Sequence, residues 1–461
     1  MISIRLLSVI LMLLTGMHSL TAQLTVVEGY ANRAEGYVIR LIKYKDLLTR
    51  LDVVLATDTV DKNGNFRLEC KNDDISYAFI DVEFQRAEIY LEPGMELKLE
   101  INFDPEQRQS LYFDRQPLEY AVTDAPSSDL NNSIMEINRV YNDFILEYFN
   151  EIYRSRKKQL IDTLRLKMKD ADRSGTDYAA NYIKYKLASL EQAARIGSRE
   201  ALANEYLEGE ELLYGNVEYI YFFEEFFDNY LLNSTGELNL SVILTMFAGN
   251  KSIEQFIKVA GNDPFLSARR TTEFFLLSNF KSLYGHPDIP RKQIISLVTE
   301  LGSVTQYVEH QIIAKNLVEK FARLSPGTRA PAFALPAYGG RLVSLKDLRG
   351  QYLYLGFFLS ENPTCIFELD LLAKLIGGSV NNLGALMVSA DKKEEEAFRL
   401  AIEKDYPWMT LHYDNDISLL EEYDATTFPL FILISPEGEI ISYPAPRPSE
   451  DLETFIFRYL R

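Results

Sequence analysis

Thiol chemistry in this chain can come from only two residues, Cys70 and Cys365, which lie far apart in the sequence. A dithiol oxidoreductase needs a low-pKa thiolate to attack a substrate disulfide and a second thiol close by to release the mixed disulfide. Three residues before Cys365, where a C-x-x-C motif would carry the attacking thiol, stands Asn362, whose amide can do neither. The stretch Asn362-Pro363-Thr364-Cys365 therefore reads as half of a redox motif, with Cys365 either a small packing side chain or a weak single-thiol centre. A lone Cys70–Cys365 bridge is the less favoured alternative. Beyond the first residues the histidines are His286, His310 and His412, and none has a second His, Cys or carboxylate at metal-ligand spacing. No metal and no cofactor is expected.

The elements that must position these residues are bounded first by composition. At 461 residues the chain exceeds one ordinary core, and its 47% hydrophobic and 12% aromatic content suffices for several. A formal charge of −19 repels nucleic-acid phosphates, so nucleic acid is not an expected partner. Arg5 precedes an apolar run from Leu6 to Leu14 and small or polar residues up to Thr21-Ala22-Gln23, the layout of a secretory signal over 1–22 cut after Ala22. That run falls short of the roughly 20 residues a spanning helix needs. No cysteine near the cut offers a lipid anchor, and no later run is long enough to span. The mature chain is expected to be periplasmic or otherwise exported, with no integral membrane segment.

Residues 23–105 alternate with period two, as in Tyr37-Val38-Ile39-Arg40-Leu41 and Phe66-Arg67-Leu68-Glu69-Cys70, which predicts a small antiparallel β-sandwich. Asp61-Lys62-Asn63-Gly64-Asn65 has the composition of a hairpin turn and Glu92-Pro93-Gly94 that of a second reversal. Through Thr57-Asp58-Thr59-Val60, Asn63-Gly64-Asn65-Phe66 and Tyr90-Leu91-Glu92-Pro93-Gly94, this part resembles the N-terminal β-sandwich domain of unknown function that often precedes thioredoxin-like domains in secreted proteins of Bacteroidetes. Residues 126–324 change to the period of a helix, beginning with Asp129 as a cap ahead of Ile134, Ile137, Val140 and Phe144, and predict an all-α middle domain. The aromatic cluster Tyr219, Tyr221, Phe222, Phe223, Phe226, Phe227 and Tyr230 reads as buried packing, with a groove for a peptide or glycan as the sharper alternative.

Residues 326–461 carry the most specific pattern. Gly327-Thr328-Arg329-Ala330-Pro331 and Val343-Ser344-Leu345-Lys346-Asp347-Leu348-Arg349-Gly350 resemble the opening of TlpA-like thioredoxin and thiol-specific antioxidant domains, where a short hairpin precedes the first core strand. The apolar runs Tyr352 to Phe358, Leu383 to Ser389 and Leu430 to Ile434 read as strands buried on both faces. Helices are expected from Glu368 to Ile376, ending at Gly377-Gly378, from Lys392 to Lys404, and after a cap at Ser449. The whole is a multidomain α+β chain with a C-terminal thioredoxin-like α/β sandwich.

The resemblance implies a cis-proline at Pro429, after Thr427-Phe428, next to the active-site turn and able to pair with an extended peptide. It also implies that the first catalytic cysteine falls on Asn362 and the buried acidic residue on Gly356, so both catalytic supports are missing. A peroxidase would need a threonine at position 359, which is Leu359. The expected function is a non-catalytic protein- or peptide-binding or scaffolding protein, with a groove formed by Asn362, Pro363, Thr364, Phe428 and Pro429. Its partner would be another periplasmic protein or an extended peptide. The alternative is a thiol-disulfide oxidoreductase or isomerase of cell redox homeostasis, working through Cys365 alone.

Overall fold

A computed structural model describes residues 23–105, 115–124, 129–233, 238–286, 288–376 and 383–459. The signal segment, Pro126 and the Gly377-Gly378 helix stop lie outside the described residues. The chain divides into two compact units. One takes the residues up to Val82, Ala87–Phe103 and Leu118–Asp228; the other takes Glu83–Arg86, Asp104–Pro117 and the chain from Asn229 onward.

The first unit holds β1 (Gln23–Asn32), β2 (Val38–Tyr44), β3 (Asp52–Thr59), β4 (Asn65–Asn72), β5 (Ser76–Val82), most of β6 (Gln85–Leu91) and β7 (Glu96–Asn102). The two-residue β8 (Gln116–Pro117) belongs to the second unit, and β9 (Glu119–Thr123) returns to the first. One sheet runs β4-β1-β7-β9 and the other β3-β2-β5-β6. Alternation decides which faces meet: in β4, Phe66, Leu68 and Cys70 point inward while Arg67, Glu69 and Lys71 stay in solvent. Most pairs are antiparallel, as expected, but β1 and β7 run parallel, with Val27 opposite Leu97 and Gly29 opposite Leu99. Such a pair needs a crossover, supplied here by the strands of the other sheet.

The Asp61–Asn65 reversal differs from the predicted hairpin. Asp61 accepts hydrogen bonds from the backbone N–H groups of Asn63 and Asn65, both at 2.8 Å, and Gly64 takes a φ of 83°. The flanking strands, however, belong to different sheets: β3 pairs with β2, and β4 with β1. A turn composition fixes the local reversal and leaves the pairing to tertiary packing.

The described helices of this unit are Leu130–Tyr153, Lys158–Ala171, Asp177–Ala193, Arg199–Tyr206 and Val217–Phe226. Asp129, Thr176, Ser198 and Asn216 each accept an N–H from the third helical residue, the preferred N-cap chemistry. Tyr219, Phe222, Phe223, Phe226 and Phe227 are buried, with Tyr185 edge-on to Tyr219 at 4.7 Å, so the aromatic cluster is core. Tyr221 is its exposed member, lying under the Arg50 guanidinium.

In the second unit, the helices Leu240–Ala248, Ile253–Ala260, Arg269–Leu283, Arg291–Val304 and Val308–Ala322 precede a hairpin of β10 (Ala334–Pro336) and β11 (Leu342–Ser344). A five-stranded sheet follows in the order β14-β13-β12-β15-β16. Its strands are β12 (Tyr352–Phe358), β13 (Leu383–Ser389), β14 (Met409–His412), β15 (Leu430–Ile434) and β16 (Ile440–Ser442). β12, β13 and β14 are mutually parallel, whereas β15 runs antiparallel to β12 and β16 to β15. Leu353, Leu355, Phe357, Met387, Val388, Ile432 and Leu433 are buried, which accounts for their unbroken apolar runs.

Helices Pro363–Ile376, Glu394–Lys404, Ile417–Glu422 and Leu452–Phe457 pack with this sheet into a thioredoxin-like α/β domain. Two expectations are corrected. The helix after β12 begins at Pro363, five residues earlier than predicted, and so carries Cys365. Ser449 does not cap the last helix, because its N–H (3.0 Å) and its hydroxyl (2.6 Å) both donate to the buried Glu368; Asp451 occupies the cap position. Among the described residues, no helix is long and apolar enough to cross a membrane.

Candidate functional site

The site grows from the junction between β12 and the helix Pro363–Ile376. Asn362 occupies the N-cap: its side-chain oxygen accepts the N–H of Thr364 at 2.9 Å and that of Cys365 at 3.4 Å, and its carbonyl accepts the N–H of Ile366 at 3.0 Å. Pro363 follows at the first helical position, where the absent N–H is no loss and the fixed φ suits the helix. Asn-Pro is thus a good helix start in its own right. Free N–H groups at a helix N-terminus would stabilise a thiolate. Here a neutral amide has taken two of them.

Cys365 sits on the inner side of this first turn and is 0% exposed. Its thiol is pushed up to about 12, chiefly by burial, with the hydrogen bond at Leu359 acting the other way. Cys70 is likewise a buried free thiol raised by burial, within the β-sandwich core. Neither cysteine forms a disulfide. Pro363 and Thr364 are exposed, Asn362 and Cys365 buried.

Gly356 lies in mid-β12 between Met387 and Phe431. A Cβ placed there would meet the Met387 sulfur at 2.4 Å and the Phe431 ring at 2.8 Å. The volume that a buried acid would need is filled with apolar side chains. The peptide between Phe428 and Pro429 is cis, and both residues are buried. Because Phe357 pairs with Leu430, the sheet brings the segment that follows β12 and the segment that precedes β15 to the same end.

One feature of this end was missed in the sequence. Asp391, two residues past β13, accepts the Ser360 N–H with both carboxylate oxygens, at 2.9 and 3.1 Å, and the Ser389 hydroxyl at 2.6 Å. Burial raises its pKa, and the Ser389 and Ser360 donors pull it back. His412 accepts the Asp414 N–H at Nδ1, which leaves Nε2 to donate to the Asp391 carbonyl at 2.6 Å. The available signal was an aspartate two residues after the apolar run Leu383–Ser389. This carboxylate fastens the strand ends that frame the turn.

The remaining histidine of note, His310, points Nδ1 at the buried Glu273 carboxylate at 3.0 Å, which also accepts from Thr305 and Arg269. It is a core partner in the helical region. Among the described residues, no three His, Cys, Asp or Glu side chains are grouped so that they could hold a metal.

Residues 326–443 match the AhpC/TSA family. The thiol-disulfide oxidoreductase ResA of Bacillus subtilis (strain 168) is 27% identical over 121 residues, 26% of this chain and 66% of ResA. A Mycobacterium tuberculosis protein (strain CDC 1551 / Oshkosh) named as a peroxiredoxin is 34% identical over 109 residues, 23% of this chain and 68% of that protein. The chain therefore spans about two-thirds of the length of these relatives. Among solved structures, the thioredoxin domain of a thiol-disulfide oxidoreductase from Bacteroides vulgatus is similar at 26% identity and a TM-score of 0.28, over 30% of this chain and 99% of that one.

Proposed function

We propose, from the premise that this chain belongs to the AhpC/TSA family, that it is an exported thioredoxin-like protein whose former redox turn serves as a non-catalytic surface for an extended peptide or another protein. The observation that carries this reading is the state of Cys365: fully buried, raised to about 12, and preceded by an amide where a thiolate would have to be generated. At neutral pH such a thiol is protonated and out of reach of a substrate disulfide. Exposed Pro363 and Thr364 and the segment leading to cis Pro429 supply the surface. Thr426 and Thr427, both exposed just before Phe428, offer backbone to an extended partner strand.

The second reading, a monothiol oxidoreductase acting through Cys365, is favoured by the names of the relatives and by the place of Cys365 in the first turn of a helix. Insulin disulfide reduction separates the two. The full chain should show no turnover above the uncatalysed rate, and the Cys365→Ser variant should be indistinguishable from it. Turnover that disappears in Cys365→Ser would establish the monothiol enzyme instead.

A further inference from the structure

A second surface lies on elements that the redox turn does not use. The β10–β11 hairpin closes through Ala337, Tyr338, Gly339, Gly340 and Arg341, with Gly340 donating to the Ala337 carbonyl and Ala337 to that of Arg341, both at 2.9 Å. Gly339 and Gly340 have φ of 86° and 79°, values that glycine reaches without strain. The loop holds Tyr338 out at 71% exposure, its ring edge-on to Phe398 at 5.6 Å. Between the hairpin tip and the helix Glu394–Lys404 runs a groove of about 590 Å³.

Helical spacing gives the groove its walls. Glu394, Phe398 and Ile402 recur at every fourth residue, and Glu395, Arg399 and Glu403 form the adjacent row. Phe398 is the floor, 6% exposed, while Ile402 stands 61% exposed on the rim. Two placements run against local preference. Large apolar side chains are left in water at Tyr338 on the hairpin and Ile402 on the helix, both lining the groove. Glu403 sits in the last helical turn, where the helix dipole disfavours a carboxylate. Glu394 and Glu395 suit a first turn, so the dipole explains them and does not explain Glu403. Among the described residues, no ion pair engages Glu394, Glu395, Arg399 or Glu403. The rim thus presents three carboxylates against one guanidinium around an apolar floor, on a chain whose formal charge is −19.

We infer that this groove docks a cationic segment of a partner protein in which a lysine or arginine flanks an apolar anchor. The anchor fills the space between Tyr338, Phe398 and Ile402, and the basic side chains meet Glu394, Glu395 and Glu403. Opposite charge steers the encounter and fixes the register, and apolar burial supplies the affinity. The inference does not depend on the redox state of Cys365.

The test uses the full chain and two short fluorescein-labelled peptides, one alternating leucine with lysine and one alternating leucine with glutamate, read by fluorescence anisotropy. The lysine peptide should bind and the glutamate peptide should not. Ile402→Glu, at an exposed position that does not compromise folding, should weaken the lysine peptide by about tenfold or more, the scale of losing an apolar anchor. That variant also separates a docking groove from mere attraction to an acidic protein, since an added negative charge would leave non-specific binding unchanged or tighter. Unchanged or tighter binding in Ile402→Glu, equal binding of the two peptides, or no binding would each overturn the inference. So would self-association of the chain that Ile402→Glu abolishes, which would make a second copy the occupant. Binding lost in Thr364→Arg but kept in Ile402→Glu would overturn this groove while supporting the redox-turn surface. Insulin turnover together with groove binding sensitive to Ile402 would do the reverse.

Discussion

The turn after β12 and the groove beneath Tyr338 treat their polar groups in opposite ways. At the turn, the Asn362 amide caps two N–H groups, Asp391 takes the Ser360 N–H and the Ser389 hydroxyl, and the single thiol is buried. At the groove, charged side chains have no ion pair among the described residues and stand beside apolar residues left in water. Interactions completed inside the fold add to stability and leave little to offer a reactant, whereas unfinished ones are available to a partner. The turn is closed around its polar groups, and the groove leaves its own open.

The largest effect on stability that would test this contrast comes from restoring the acid. Gly356→Asp would drive a Cβ into Met387 and Phe431 and bury an unpaired carboxyl. It should cost about 3 kcal/mol or more, read from urea unfolding midpoints. A well-folded, undiminished variant would mean that the space beneath the turn is still free for catalytic machinery. Next in size is the cap: Asn362→Ala should cost about 1 kcal/mol without creating any insulin turnover. Insulin turnover appearing in that variant would mean that the amide cap alone holds Cys365 inactive. Smallest is Ile402→Glu, which should move stability by less than about 0.5 kcal/mol while weakening peptide binding, as expected of an exposed side chain. A large destabilisation would move Ile402 from the binding surface to the core.

Much of the second unit was legible because the central strands of its sheet are largely buried and leave unbroken apolar runs at Tyr352–Phe358, Leu383–Ser389 and Leu430–Ile434. The cis bond before Pro429 followed from family resemblance and is present. What could not be read was long-range. Ser360 and Asp391 are 31 residues apart and Ser449 and Glu368 are 81 apart, and no local pattern links such pairs. The same holds for β1 beside β7, where alternation marks a strand and leaves its neighbour open. The start of the helix at Pro363 was within reach of local rules, since Asn followed by Pro is a capping signal, but the same residues read equally as a damaged redox motif.

The central claim, that Cys365 is no longer a nucleophile, is tested most directly by its rate of alkylation with iodoacetamide, followed site by site by mass spectrometry in the native and the denatured full chain. A thiol raised from the ordinary 9.0 to about 12 has about 1,000-fold less thiolate at pH 8, so native Cys365 should react at least that much more slowly than in the unfolded chain. Because the folded state prefers the protonated thiol, its contribution to stability is complete below pH 9 and is lost as the pH rises towards about 12. Fast native labelling of Cys365 at pH 8, at a rate near that of the denatured chain, would contradict the account.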